Sequence, residues 1–494
     1  MGRDLVIRGA RVYDGTGGEP FDADIAVDGV RISAVGTVER KGDAELDARG
    51  LAVAPGFIDV HSHDDLAVLV EPEMPFKVCQ GVTTDVVGNC GFGPAPYAAA
   101  TRMLGGLMGG ELELPSWDGH SGYLDLLGQR PPSLNVAVLA GHGTLRLATL
   151  GGARRPASDD EVARMSELVE EAVAAGAVGL STGLIYEPAR HAPTEEIAAL
   201  ARVMSGTGRL YVTHMRNESG RLVQSVEEAL RIGRDADVPV QISHHKASGR
   251  ANWGRVHESL ALIDAARAAG QRVTADQYPY TASSTSLSAV LTNLDEDGGG
   301  LGRLEPDKVT VASSPGDPAC EGMTLEAIAA RAQSDPWVAA KELVQRSPGT
   351  VVILETMCED DVRTVLAHDT TMIGSDGIPA PGAKPHPRLY GTFPRVLGHY
   401  SRDEGVLTMA NAVHKMTGLP AATFGLTERG VVKEGAFADL VVFDPAAIID
   451  TATYPDPRRH PAGIHSVYVN GTLVVGPSGH TGARPGRALR FGQS

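Results

Sequence analysis

Apolar and polar positions alternate over short runs at both ends of the chain and over longer stretches in its middle. Residues 1 to about 55 hold five short β-type runs, Leu5–Ile7, Arg11–Tyr13, Ile25–Val27, Ile32–Val35 and Leu51–Val53. Asp14-Gly-Thr-Gly-Gly and Asp28-Gly, with hairpin turn chemistry, separate some of them. The same texture returns near the C-terminus in Gly430-Val-Val, Ala438–Phe443 and Val467–Val475. Neither end encloses a large core alone. Residues 1–55 and 428–494 are therefore expected to share one small β-sandwich domain.

Between them, residues 56–427 alternate strand and helix patterns. The strand candidates are Phe57–Val60, Thr83–Val87, Asn135–Leu139, Val178–Ser181, Leu210–Thr213, Val238–Ser243, Val273–Asp276 and Met372–Ser375. Ser158-Asp-Asp-Glu-Val opens a helix with a cap and early acids, running to Ala175 before Gly176. Thr194-Glu-Glu-Ile, Leu222–Arg234 and Val256–Ala269 open or form others. Eight strand–helix units predict an α/β chain with a (β/α)8 TIM-type barrel, whose chemistry sits at the C-terminal ends of the strands. A doubly wound sheet is the alternative, but no glycine-rich phosphate or dinucleotide fingerprint follows an early strand. Residues near 287–350 are too long for a plain connection and are expected to form an inserted lobe over the site. Asp295-Glu-Asp-Gly-Gly-Gly reads as its flexible part, and Leu104–Gly110 as a mobile loop.

Composition narrows the partners. A net charge of −17 over 494 residues argues against nucleic-acid binding through a general basic face, though not against acidic small substrates. No stretch approaches the ~20 apolar residues of a membrane span. The polar start, Met-Gly-Arg-Asp, lacks a secretory apolar core. With only Cys79, Cys90, Cys320 and Cys358 in so long a chain, a cytoplasmic location is expected.

Metal-capable side chains collect at the predicted strand ends. His61 and His63 alternate after the first strand and so point to one side. Cys90 follows the second strand among Gly88, Asn89 and Gly91. His214 ends the fifth, His244-His245-Lys246 the sixth and Asp376 the eighth. One such histidine would read as an ordinary hydrogen-bonded residue; several at one rim read as a metal centre. Zinc suits a set that mixes imidazole, carboxylate and thiolate. Such a metal lowers the pKa of its bound water towards ~7 and polarises a carbonyl. Asp376 is the expected base, taking the water's proton and passing it to a leaving amine. The plainer alternatives are a small buried apolar role for Cys90 and a helix-capping role for Asp376 before Gly377.

The motifs extend the pattern: Gly56-Phe-Ile-Asp-Val-His-Ser-His63, Gly81-Val-Thr-Thr-Asp-Val-Val-Gly-Asn-Cys90-Gly-Phe, Gly141-His-Gly-Thr-Leu-Arg146 and Gly179-Leu-Ser-Thr-Gly-Leu-Ile-Tyr186. Thr213-His-Met-Arg-Asn-Glu218, Ser243-His-His-Lys246, Asp276-Gln-Tyr-Pro-Tyr280, Ser375-Asp376-Gly and His386-Pro-Arg-Leu-Tyr-Gly-Thr-Phe393 continue it, with Ala438–Asp444 and Val469-Asn-Gly471 in the closing segment. Together they resemble the N-acyl-D-amino-acid deacylases, or D-aminoacylases, of the amidohydrolase superfamily, over nearly the whole chain.

The resemblance implies a tight zinc on Cys90, His214 and His244. A weaker second site would use His61, His63 and Asp376, with Cys90 able to bridge. Many superfamily members bridge two metals with a carboxylated lysine at the fourth strand end, yet no lysine lies between Lys77 and Lys246. His245 stays a rival to His244. Tyr186 is expected to donate its phenol O–H to the scissile carbonyl. Arg388, Lys246, Tyr278 and Ser283 resemble the group that grips the substrate's α-carboxylate; an arginine fork and a lysine charge suit that task. No further arginine stands out beside this set, which points to hydrophobic side chains, with Arg250 and Arg303 as the residues that bear against it.

The expected function is zinc-dependent hydrolysis of the amide of an N-acyl-D-amino acid to a carboxylate and a free D-amino acid. A second reading keeps the centre but changes the substrate to another amide or cyclic amide, for instance a natural-product intermediate. A third, a non-catalytic barrel, conflicts with a complete set of ligands and base.

Overall fold

Eight parallel strands at the centre answer to the eight predicted runs: Phe57–Asp59, Val82–Val87, Asn135–Gly141, Gly179–Gly183, Leu210–His214, Val240–Ile242, Val273–Gln277 and Thr371–Ile373. The computed structural model describes residues 3–107, 113–294, 304–379 and 382–493. The strands pair in chain order from first to eighth. Both of their faces are buried, which is why they read as near-continuous apolar runs. On the fifth strand Tyr211 packs outward against the helices while Val212 joins the barrel interior, so His214 shares the inward face.

Strands one and eight close the ring beyond their own ends, through a parallel bridge between Ser62 and Gly377. Asp376 N–H donates to the His61 carbonyl at 2.7 Å, and His63 N–H to the Gly377 carbonyl at 3.1 Å. The last seam of the barrel is thus made by residues that carry metal-capable side chains. The interior below is apolar, with Ile58, Val86, Leu139, Val212 and Met372 packed together. Phe424 and Leu489, from the C-terminal part of the chain, complete that core.

The helix expected after Ser158 spans Asp159–Ala175. Ser158 and Glu161 form a reciprocal capping box, and Gly176 ends it at φ 107°. The mobile-loop reading of Leu104–Gly110 is corrected for its first half. Leu104 to Leu107 lie in a helix, Tyr97–Leu107, because Ala100 and Leu104 are buried against the barrel core. Packing there outweighs the roughly 1 kcal/mol helix cost of each glycine. Residues 108–110 fall outside the described residues.

Strands from both termini join in one nine-stranded sheet. Its link is Ala52–Pro55, which runs parallel to the N-terminal strand Arg3–Val12 and antiparallel to Leu440–Phe443. Ile7, Ile25, Ala438, Leu440 and Val442 share its core, and an Arg31–Phe437 bridge brings the N-terminal edge back to that core. The inserted lobe is a packed unit rather than a loose cover. It has a three-stranded sheet, Ala282–Ser286, Val351–Glu355 and Val309–Ser313, with helices Leu287–Leu294, Leu325–Ala332 and Pro336–Arg346. Asp295–Gly300, its expected flexible part, lies outside the described residues. Among the described residues no helix is long and apolar enough to cross a membrane.

Candidate active site

The second barrel strand runs into a single turn, Asn89–Gly91, which carries Cys90 at φ 54°. Ser181 clamps this turn: its hydroxyl donates to the Gly88 carbonyl and accepts from Gly91 N–H at 3.0 Å. Thr144 adds a second clamp, accepting from Gly93 N–H at 2.9 Å. His244 and Asp376 share the left-handed conformation, at φ 34° and 49°. Each such non-glycine residue costs about 1–3 kcal/mol, held by the structure around it, and such residues concentrate at functional sites.

The Cys90 thiol is buried among three imidazoles. His61 Nε2 lies 3.3 Å, His244 Nε2 3.5 Å and His214 Nδ1 3.6 Å from Sγ. Tetrahedral ligands ~2.0–2.3 Å from a zinc stand roughly 3.3–3.7 Å apart, so each histidine's distance from Sγ suits a pair of ligands; Cys90, His61 and His244 are the trio whose donor atoms also cluster with one another. Beside this group, His63 Nε2 and His61 Nε2 lie 3.1 and 3.6 Å from Asp376 Oδ1, a second metal-capable trio. Burial opposes ionisation of Cys90, but the charges of His61 and His244 hold its thiol well below the ordinary range. Burial likewise opposes the Asp376 carboxylate, while Arg388 and His61 hold it ionised. His245 turns away, with Nε2 2.9 Å from Ser259 Oγ, so His244 is the one that meets Cys90.

The expected substrate residues lie around this centre. Arg388 is fully buried, 3.0 Å from Asp376 Oδ2 through Nη2, and its guanidinium stacks on Tyr278 at 4.4 Å. Nη2 also donates to the Ser284 carbonyl at 3.2 Å. Its Nε and Nη1, and the Tyr278 hydroxyl, have no partner among the described residues. Tyr186 meets Thr285 Oγ1 at 3.1 Å, and its ring stands 5.0 Å from His214. Burial pushes the Tyr186 phenol up, so it keeps its proton. Ser283 is buried on the lobe strand, on the same face as Thr285. Lys246 Nζ meets Glu218 Oε1 at 2.7 Å and stands 5.8 Å from the centre of the Tyr278 ring. Arg250 stacks on Trp253 at 5.8 Å, and Arg303 lies outside the described residues. A cavity of about 430 Å³ opens beside Tyr186, lined by Phe92, Met103, Ile185, Ala289, Arg102 and Arg154 among others.

Two buried acids went unassigned in the sequence. Asp276 is the penultimate residue of the seventh strand, with Oδ1 3.2 Å from His61 Nδ1; it also accepts His244 N–H at 2.8 Å. Glu218 stands four residues after His214, with Oε1 2.9 Å from His244 Nδ1. An acid at a strand end left without a metal role, and an acid four residues past a histidine, were the available signals. Lys77 also lies under the first strand. It pairs with Asp59, with Asp64 at 3.0 Å and with Ser375 Oγ at 2.9 Å, tying the first strand's end to the eighth.

Comparison with known proteins gives this geometry a lineage. The amidohydrolase family model matches residues 44–333 and 324–475. A D-aminoacylase of Alcaligenes xylosoxydans xylosoxydans is 44% identical over 487 residues, 98% of this chain and 97% of that protein. The chain belongs to the amidohydrolase family. An N-acyl-D-glutamate deacylase of the same organism is 42% identical, over 99% of this chain and 96% of its own. The crystal structure of the Bordetella bronchiseptica N-acyl-D-glutamate deacylase, complexed with zinc and a phosphonate mimic of the tetrahedral intermediate, superposes with a TM-score of 0.90. It is 40% identical and covers 99% of this chain and 100% of that one.

Proposed function

We propose that this chain uses zinc to hydrolyse the amide bond of N-acyl-D-amino acids, giving a carboxylate and a free D-amino acid. The observation that carries the reading is a buried arginine with two unpartnered nitrogens, Arg388, placed against a carboxylate that also reaches the metal-capable histidines. Cys90, His214 and His244 hold the tight zinc, and His61, His63 and Asp376 the weaker second site. Zinc held there supplies Lewis acidity, lowering the pKa of water towards ~7 and polarising a carbonyl.

The rest falls to side chains. Arg388 Nε and Nη1, with the Tyr278 hydroxyl, grip the α-carboxylate, and Ser283 and Lys246 flank them. The Tyr186 hydroxyl donates to the scissile carbonyl oxygen as charge develops on it. Asp376 takes a proton from the attacking water; as the carbon–nitrogen bond breaks, it delivers that proton to the departing amine. The substrate carboxylate then shares Arg388 with Asp376, which weakens the arginine's hold on Asp376 and raises its basicity toward the water. With carboxylate and amide both fixed, only one hand at the α-carbon directs its side chain into the cavity beside Tyr186. The four cysteines are all free, which suits a reducing cytoplasm.

The test is amine release from paired N-acetyl-D- and N-acetyl-L-amino acids by zinc-loaded protein, with leucine, methionine, phenylalanine, glutamate and aspartate side chains. Cleavage confined to the D series is the expected result. Cleavage of neither series would overturn the substrate and leave another amide as the target of the same centre.

A further inference from the structure

Glu218 is fully buried and lies behind the two histidines read above as ligands of the tight site. An imidazole that binds metal through one nitrogen carries a proton on the other, and that N–H needs an acceptor. His214 presents Nδ1 to Cys90, so its Nε2–H faces away; His244 presents Nε2, so its Nδ1–H faces away. The His244 N–H meets Glu218 directly, and His214 Nε2 stands near the same carboxylate, beyond hydrogen-bond distance. His244 Nδ1 lies 2.9 Å from Oε1, and His214 Nε2 lies 3.8 Å from Oε2. His214 Nε2 and Glu218 Oε2 are both buried without a hydrogen-bond partner among the described residues, and each is the nearest available partner for the other.

Lys246 Nζ is 2.7 Å from Glu218 Oε1 and 2.9 Å from His244 Nδ1. Lys246 can only donate, so at 2.9 Å Nδ1 accepts; once His244 binds metal through Nε2 and Nδ1 carries the proton, Lys246 must leave Nδ1 and both donors turn to Oε1. The ammonium also occupies the corner where a further cation would stand. His214, Glu218 and His244 therefore do not form a third metal site, although their donor atoms cluster. The backbone places the carboxylate firmly: the Asn217 side chain accepts Ser219 and Arg221 N–H, each at 2.9 Å, and Ser248 N–H donates to the Glu218 carbonyl at 2.7 Å.

We propose that Glu218 is the positioning residue of the tight metal centre: its carboxylate holds His244 and Lys246 through Oε1, and Oε2 closes on His214 Nε2 when the metal is bound, fixing the two imidazoles in opposite tautomers. The proposal rests on His214 and His244 being metal ligands. It joins the metal centre to a lysine of the carboxylate-binding group, so one substitution perturbs both.

Glu218→Gln tests it. The amide keeps one acceptor and turns N–H groups towards either an imidazole N–H or the ammonium. Chelator competition is expected to show zinc affinity 10–100-fold below wild type, the range typical for such outer partners. The KM for N-acetyl-D-amino acids should rise with it, and the metal-free protein should stay folded but melt below wild type, because Lys246 loses its buried charged partner. Glu218→Asp, which retains the charge, should recover part of the affinity. Zinc affinity of Glu218→Gln within about threefold of wild type would overturn the proposal, since outer partners of this kind carry more. If Glu218→Gln does not fold, a crystal structure of zinc-loaded wild type decides. Oε2 within about 3.2 Å of His214 Nε2 supports the clamp, and a longer or water-bridged contact overturns it. Wild-type protein that takes up no zinc would overturn the metal assignment itself, and the role of Glu218 with it.

Discussion

Gly183→Ala is expected to disable the centre without removing any ligand. Gly183 ends the fourth barrel strand, and a Cβ there would stand 2.1 Å from the Cys90 carbonyl oxygen and 2.7 Å from Tyr186 Cδ2. Ordinary contact begins near 3.4 Å, so the turn or the strand must give by about 1.3 Å. The turn has little slack, being clamped by Ser181 and Thr144 with Cys90 already at positive φ. Zinc–ligand distances tolerate about ±0.2 Å, so a displacement near 1 Å detaches the thiolate. Overpacking itself costs about 1–3 kcal/mol, which a domain of this size survives. Misplacement by ~1 Å near the chemistry costs roughly 100-fold in rate. The variant should therefore fold, retain as little zinc as Cys90→Ala, and lose at least about 100-fold in kcat/KM. Zinc-to-protein ratio, a melting scan and amine release on the same preparation measure all three. A folded Gly183→Ala protein with full zinc and wild-type turnover would refute the close-packing argument.

Asp376→Asn should keep the tight zinc and lose about 10²–10⁴-fold in kcat, the usual share of a general acid–base group; turnover within tenfold of wild type excludes it as the base. Arg388→Ala removes a charge-assisted grip, and KM for carboxylate-bearing substrates should rise about 10–100-fold. An unchanged KM would place the anchor elsewhere. Glu196 supplies a pH prediction. Burial alone would raise its carboxyl, but contacts with His142 and Arg146 hold it at about 2 against an unfolded value of 4.5. The unfolded chain then binds the extra proton first. The stability Glu196 contributes is complete above pH 4.5 and is lost as pH falls towards 2, by about 3 kcal/mol. Glu196→Gln should be less stable at pH 7, because Arg146 stays buried without its partner, and should show a flatter acid slope in urea unfolding. An acid slope equal to wild type would show that Glu196 is not the responsible group.

Much of the fold and of the site is legible in the chain. The eight strands are short apolar runs whose burial on both faces leaves a local signature, and the Ser158–Gly176 helix carries its own cap and stop. The histidines are visible because a barrel strand ends where its apolar run ends, and that alone places His61, His214 and Asp376 at one rim. The partners of those residues are not visible in the same way. Asp276 reaches His61 across 215 positions, and nothing local to either residue marks the pair. The contact of Lys246 with Glu218, 28 positions away, is likewise a product of the fold.

The amino-acid sequence by itself determined the period of each element, the caps and turns that end it, and the kind of donor at each strand end, because these depend on neighbours a few residues apart. The tertiary structure alone decided which donors share one point in space. That depends on ring closure through Ser62 and Gly377, on a glycine at 183 that lets two backbones touch, and on the choice between His244 and His245. Each of these is a contact between distant segments, set by barrel curvature and side-chain volume rather than by local preference.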